Sequence, residues 1–240
     1  MQRSATAEKY ARSTNNNPKC ESPEAKRIVI VDDHPLFRKG LAELIHSEKN
    51  HFAVCGEAGN AAEAMEVIRK LKPELAIVDL SLPGANGIEL IKNIRAEFAR
   101  MPILVLSMHD ESLYAVRALR AGADGYVMKH EAMANVIHAV REIFNGRPYL
   151  SPAMAAQVIT KFAHRQAEGE ADAVERLSDR ELEVLELIGK GNDVRQIAKV
   201  LHLSPKTVET HRSHIKDKLD LKNSREVARF ALQWLSARGV

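Results

Sequence analysis

The chain has 240 residues, which suits two small domains better than one large one, and its 45% hydrophobic content is ordinary for a globular protein. No apolar run approaches the roughly 20 residues that span a bilayer, and residues 1–23 lack the apolar core of a secretory signal, so a cytoplasmic protein with no membrane partner is expected. The net charge of +3 is uneven: residues 26–148 carry 16 basic and 16 acidic side chains, residues 173–240 carry 13 and 10, and residues 204–240 carry eight and four, which fits either a solvated basic helix face or a nucleic-acid contact.

Residues 1–25 are rich in Ser, Thr, Asn, Lys and Glu and read as a disordered tail. From there short apolar runs alternate with amphipathic segments. Strands are expected at 28–31, 52–57, 75–78, 103–106 and 125–127. Helices are expected at 35–47, 61–70, 87–97, 111–120 and 131–144. Such alternation predicts an α/β domain over residues 26–148, a doubly wound five-stranded parallel sheet covered on both faces. Cys55 falls in the second strand and Cys20 in the tail, so neither a disulfide nor a cysteine-based zinc pattern is expected.

Residues 149–172 read as a linker that contains one helix, at 151–162, and ends in the polar run 164–172. Residues 173–240 then read as a small all-α domain of four helices, at 179–190, 194–201, 205–218 and 224–235. Ser178 with Glu181 has capping-box spacing, Ser204 is a good N-cap, and Pro205 suits a first helical position. Ile197, Ala198 and Leu201, then Val208, Ile215 and Leu219, give two apolar helix faces around a tight turn at Leu203, the pattern of a helix-turn-helix.

Open parallel sheets gather function at the carboxyl ends of their strands. Four of the five strands here end in polar residues. Asp32 and Asp33 follow the first strand, Asp79 the third, Ser107 the fourth and Lys129 the fifth. Taken singly, each suits a duller role: a helix cap, a turn residue, a strand-end hydroxyl, a surface lysine. Together they suit phosphoryl chemistry. Clustered carboxylates require a proton or a cation between them, and an all-oxygen set favours Mg²⁺. A carboxylate held by a metal and a lysine is a nucleophile for phosphoryl groups, and the two cations offset charge on the transferred group.

The segments VDDHP (31–35), DLSLPGANGIEL (79–90), LSMHD (106–110) and AGADGYVMKH (121–130) resemble response-regulator receiver domains, which have a flavodoxin-like fold. The resemblance implies that Asp79 accepts a phosphoryl group from a sensor histidine kinase. It implies that Asp33, Asp79 and the Ser81 carbonyl hold Mg²⁺, with Asp32 acting in the same shell. Ser107 and Lys129 would contact the phosphoryl group, and Tyr126 matches the switch aromatic. Among the variable positions, Ser81 leaves the water entrance open and Met108 narrows phosphoryl access.

LSDRELEVL (177–185), IAKVLHLSPKTVETHRSHIKDKL (197–219) and SREVA (224–228) resemble the NarL/FixJ effector domain with its LuxR-type helix-turn-helix. That likeness implies that Glu209, Thr210 and Ser213 face bases, while Lys206, Thr207, His211, Arg212 and Lys216 position the phosphate backbone. The last helix would help pair two copies. The expected protein is a DNA-binding, phosphorylation-switched transcription regulator, not an enzyme. Its expected partners are double-stranded DNA, a sensor kinase, RNA polymerase and a second copy of itself. Two other readings stay open. A Mg²⁺-dependent phosphohydrolase would want a second carboxylate at position 81, where Ser81 stands. A phosphorylation-independent regulator would use the receiver only to bind protein.

Overall fold

A computed structural model describes residues 25–48, 51–163 and 173–237. The tail read at residues 1–25 lies outside the described residues except for Ala25, which is buried, and the polar run at 164–172 lies outside them too. In chain order the elements are β1 (Lys26–Val31), α1 (Pro35–Ser47), β2 (Phe52–Ala58), α2 (Ala61–Leu71), β3 (Leu75–Asp79), β4 (Ser81–Leu82), β5 (Ala85–Asn86), α3 (Gly87–Glu97), β6 (Ile103–Ser107), α4 (Glu111–Ala121), β7 (Gly125–Met128), α5 (Ala132–Phe144), α6 (Pro152–Ala163), α7 (Asp179–Gly189), α8 (Val194–Val200), α9 (Pro205–Lys218) and α10 (Ser224–Ser236). Single 3₁₀ turns, Lys129–Glu131 and Ala173–Arg176, precede α5 and α7.

The apolar runs form the expected parallel sheet, in the order β2-β1-β3-β6-β7. The strands alternate two buried faces. Ile28, Ile30, Ile77 and Leu104 pack with residues of α1 and α5, while Val29, Val31, Val78 and Val105 pack with residues of α2, α3 and α4. Each fully buried aliphatic side chain contributes about 1.5–3 kcal/mol of transfer free energy, which holds the two layers on the sheet. The small β4–β5 hairpin was not foreseen, because two-residue strands carry no readable period.

The helix starts follow their caps. Asn60 accepts from the Glu63 N–H at 3.0 Å at the head of α2. Ser178 with Glu181 and Asp193 with Gln196 form capping boxes at α7 and α8. Ser204 caps α9, with Pro205 at its first turn. The turn between α8 and α9 is closed by the Leu203 N–H donating to the Ala198 carbonyl at 2.8 Å. Val208 and Ile215 are fully buried against the other helices. Gly189 permits the close crossing of α7 and α10: a Cβ there would lie 2.6 Å from Leu235 Cδ1 and 2.7 Å from the Ala231 carbonyl oxygen.

The two domains touch. Ile88 and Leu113 of the sheet domain belong to the same apolar cluster as Val174 and Leu182 of the helical one. Among the described residues no helix is long and apolar enough to cross a membrane.

Candidate functional site

Parallel register brings the strand ends to one edge. Val31 pairs with Val78, and Asp79 with Leu106, so the residues that follow β1, β3 and β6 emerge side by side. Asp32, Asp79, Ser107 and Lys129 are all buried there. Lys129 Nζ stands 2.7 Å from Asp32 Oδ2 and 2.7 Å from Asp79 Oδ2. The remaining oxygens are fixed locally: Asp32 Oδ1 accepts from the His34 N–H at 2.8 Å, and Asp79 Oδ1 from the Ser81 N–H at 3.1 Å. Asp33 Oδ1 is buried without an aligned hydrogen bond, although His34 Nδ1 lies 2.7 Å away.

One ammonium thus bridges two of the three carboxylates in the pocket. Burial pushes the Asp79 carboxyl above its usual value, against the opposing pull of Lys129. Burial alone would lower Lys129, but Asp79 and Asp32 outweigh it and hold the ammonium charged. Gly87 lets α3 begin against this loop, since a Cβ there would meet the Asp79 carbonyl oxygen at 2.4 Å and Leu80 Cα at 2.5 Å. No carboxylate stands at position 81.

Ser107 is fully buried, and its Oγ accepts from the His109 N–H at 3.0 Å. Tyr126 is buried too, its hydroxyl donating to the His109 carbonyl at 2.8 Å. His109 Nε2 lies 3.0 Å from Ser81 Oγ. Met108, expected to narrow the entrance, instead points outward with 66% of its surface exposed. His109 stands against Ser81 in its place, because its backbone is tied to Ser107 and its carbonyl to Tyr126. Reading the residues around Ser107 by size alone could not have found this.

His109 also reaches the other domain. Its Nδ1 lies 3.3 Å from Glu186 Oε2 on α7, and the Tyr114 hydroxyl donates to the same oxygen at 3.0 Å. Burial opposes the Glu186 charge, but the bonds from His109 and Lys190 prevail and bring its carboxyl down to about 2. Nearby, Asn86 Nδ2 donates to Glu183 Oε1 at 2.9 Å, while Asn86 Oδ1 caps α3. Arg117 of α4 grips the approach to α7 through the Val174 and Leu177 carbonyls and Asp179. None of these contacts was visible in the sequence, where Glu183 and Glu186 lie in a helix with nothing to mark them as partners of the receiver.

A cleft of about 550 Å³ separates the domains above the acidic pocket, with Asp33, Ser81 and His109 on one wall and Lys190, Lys199 and His202 on the other. Across the helical domain, α9 presents Lys206, Glu209, Thr210 and Ser213 to solvent. Thr207, His211, Arg212 and Lys216 are partly buried. Arg212 Nη1 is paired with Glu209 Oε1 at 3.0 Å. Burial and the nearby Arg180 hold the His211 imidazole below its usual pKa.

Residues 28–141 match the response regulator receiver domain, and residues 175–231 match the luxR family of bacterial regulatory proteins. The chain is 36% identical over 211 residues to the oxygen regulatory protein NreC of Staphylococcus carnosus, covering 86% of this chain and 97% of that one. A crystal structure of a LuxR-family two-component response regulator from Aurantimonas sp. is 37% identical, spans 58% of this chain and 99% of its own, and superimposes with a TM-score of 0.54. RcsB of Salmonella enterica serovar Typhimurium, bound to the promoter rprA in the presence of phosphomimetic BeF₃⁻, is 27% identical over 86% of this chain and 98% of its own, with a TM-score of 0.58. Both halves of the chain, in their order and nearly over their full length, are therefore shared with regulators of one kind, and the chain belongs to the DNA-binding two-component response regulators with a LuxR-type helix-turn-helix.

Proposed function

We propose that Asp79 is the phosphoacceptor through which a sensor histidine kinase controls this regulator. The observation that carries the proposal is the buried bridge from Lys129 to both Asp32 and Asp79. Transfer from a phosphohistidine breaks its P–N bond and forms a P–O bond to an Asp79 carboxylate oxygen. Lys129 would shift from carboxylate to phosphoryl oxygen, and Ser107 would donate its hydroxyl proton to another. The residues fit Mg²⁺: Asp32, Asp33 and Asp79 bring ligand oxygens within 4.8 Å of one another, Lys129 pairs with only two of them, and the buried Asp33 Oδ1 accepts no hydrogen bond. Asp33, Asp79 and the Ser81 carbonyl would hold the ion, with Asp32 acting through water. When bound, it offsets charge on the phosphoryl oxygens.

On the same reading, Ser107 moving toward the phosphoryl group withdraws the hydroxyl that His109 uses. His109 then leaves Ser81 and Glu186, Tyr126 loses its partner carbonyl, and the docking of α7 weakens. Two undocked helical domains can then pair, and α9, whose outer face is already exposed, enters a major groove, where Glu209, Thr210 and Ser213 read base edges and Lys206, Thr207, His211, Arg212 and Lys216 set the backbone register. The exposed Leu232 on α10 supports pairing of two copies on DNA, beside RNA polymerase as a further partner. The test is operator affinity, measured with and without acetyl phosphate and Mg²⁺, beside Asp79→Asn. Phosphodonor should tighten binding of the parent chain only. Equal binding in all arms refutes the switch.

A further inference from the structure

We propose that Glu181, His211 and His214 form a binding site for a divalent transition-metal ion on the helical domain. The three residues each offer one ligand atom, all within 4.8 Å of one another. A tetrahedral zinc with bonds of about 2.0–2.1 Å needs only modest closure from there.

The two oxygens of Glu181 have separate duties. Oε2 accepts from Lys218 Nζ at 2.6 Å and from the Ser178 N–H of the capping box at 2.7 Å. Oε1 faces the histidines, 3.5 Å from His214 Nδ1. The carboxylate is therefore already oriented by a second layer of contacts, as metal-binding carboxylates commonly are. It is also 3% exposed, so bulk water does little to satisfy its outward oxygen.

His211 supplies the second observation. Its Nδ1 is buried and has no hydrogen-bond partner. A buried polar nitrogen left unpaired costs about 1–3 kcal/mol, which coordination through that nitrogen would offset. His214 lies one turn further along α9, on the same face, and is exposed enough to turn its ring inward.

Two imidazoles and one carboxylate select Zn²⁺, Co²⁺ or Ni²⁺ over Mg²⁺, which prefers oxygen alone. The site is thus chemically distinct from the acidic pocket of the receiver. Three protein ligands leave a fourth position for water or a phosphate oxygen. The ion would place positive charge on α9 and fix His211. Binding of the ion does not depend on the DNA reading given above.

Titration of the full chain with Co²⁺ in excess Mg²⁺ tests the site by visible absorption, with Zn²⁺ as competitor. The expected result is one tetrahedral Co²⁺ per chain, displaced by Zn²⁺, and at least tenfold weaker binding in His214→Gln and in His211→Gln. His130→Gln, on the receiver, should bind as the parent does. Circular dichroism checks that the variants stay folded, and His214→Gln, altering an exposed side chain, should. Absence of the tetrahedral band, or its persistence unchanged in both variants, overturns the site.

Discussion

Replacing Glu186 by Gln should loosen the docking of the helical domain on the receiver. The substitution preserves shape and an oxygen that still accepts from the Tyr114 hydroxyl, now 3.0 Å away. What is lost is the charge facing His109 Nδ1 at 3.3 Å. Hydrogen bonds to charged groups contribute about 1.5–3 kcal/mol, and the long separation argues for the low end of that range. The Lys190 pair joins Glu186 to the C-cap residue of the same helix, is half exposed on the lysine side, and bears little on docking. A loss of about 1.5–2 kcal/mol lowers the ratio of docked to undocked chains about tenfold to thirtyfold. Small-angle scattering should show an expanded particle without any phosphodonor, and operator affinity should rise by the same factor if docking is what restrains DNA binding. A folded Glu186→Gln chain with unchanged scattering and unchanged affinity would refute the reasoning.

Lys129→Met should abolish the phosphodonor response and cost about 3–5 kcal/mol at neutral pH, because it leaves two buried carboxylates without their cation; urea titration should also show partial recovery on adding Mg²⁺. Gly87→Ala should destabilise the receiver by about 1–3 kcal/mol and slow phosphorylation, since its Cβ displaces the Asp79 loop; a wild-type melting temperature would count against it. Docking should also depend on pH. The Glu186 carboxyl is depressed from 4.5 to about 2, so its stabilisation is complete above 4.5 and lost as the pH falls toward 2. His109 is raised above 6.5, against the burial that would lower it, so its stabilisation is complete below 6.5 and lost as the pH climbs through the raised value. Scattering should find the docked fraction greatest between 4.5 and 6.5, and a fraction that rises with alkalinity would contradict the His109 contact.

The element order and the chemistry at the sheet edge were legible in the sequence. Strand period and helical spacing are local properties, and in a parallel sheet they force Asp32, Asp79, Ser107 and Lys129 onto one edge whatever lies around them. Caps at Ser178 and Ser204 were legible for the same reason, each needing only the three residues that follow. The two-residue strands around Pro83 and the outward turn of Met108 were not, because neither follows from a period.

The sequence by itself determined two domains, a sheet edge of carboxylates with a lysine, and a polar helix face after Pro205. Tertiary structure decided how these are joined. Glu186 meets Tyr114 across 72 positions and His109 across 77, and Glu183 meets Asn86 across 97. No local pattern encodes such pairs, and a glutamate on an amphipathic helix looks the same whether it faces water or a neighbouring domain. Only packing α7 against the receiver buries those carboxylates, and burial is what turns His109 from an ordinary loop residue into the contact between Ser107 and the DNA-binding domain.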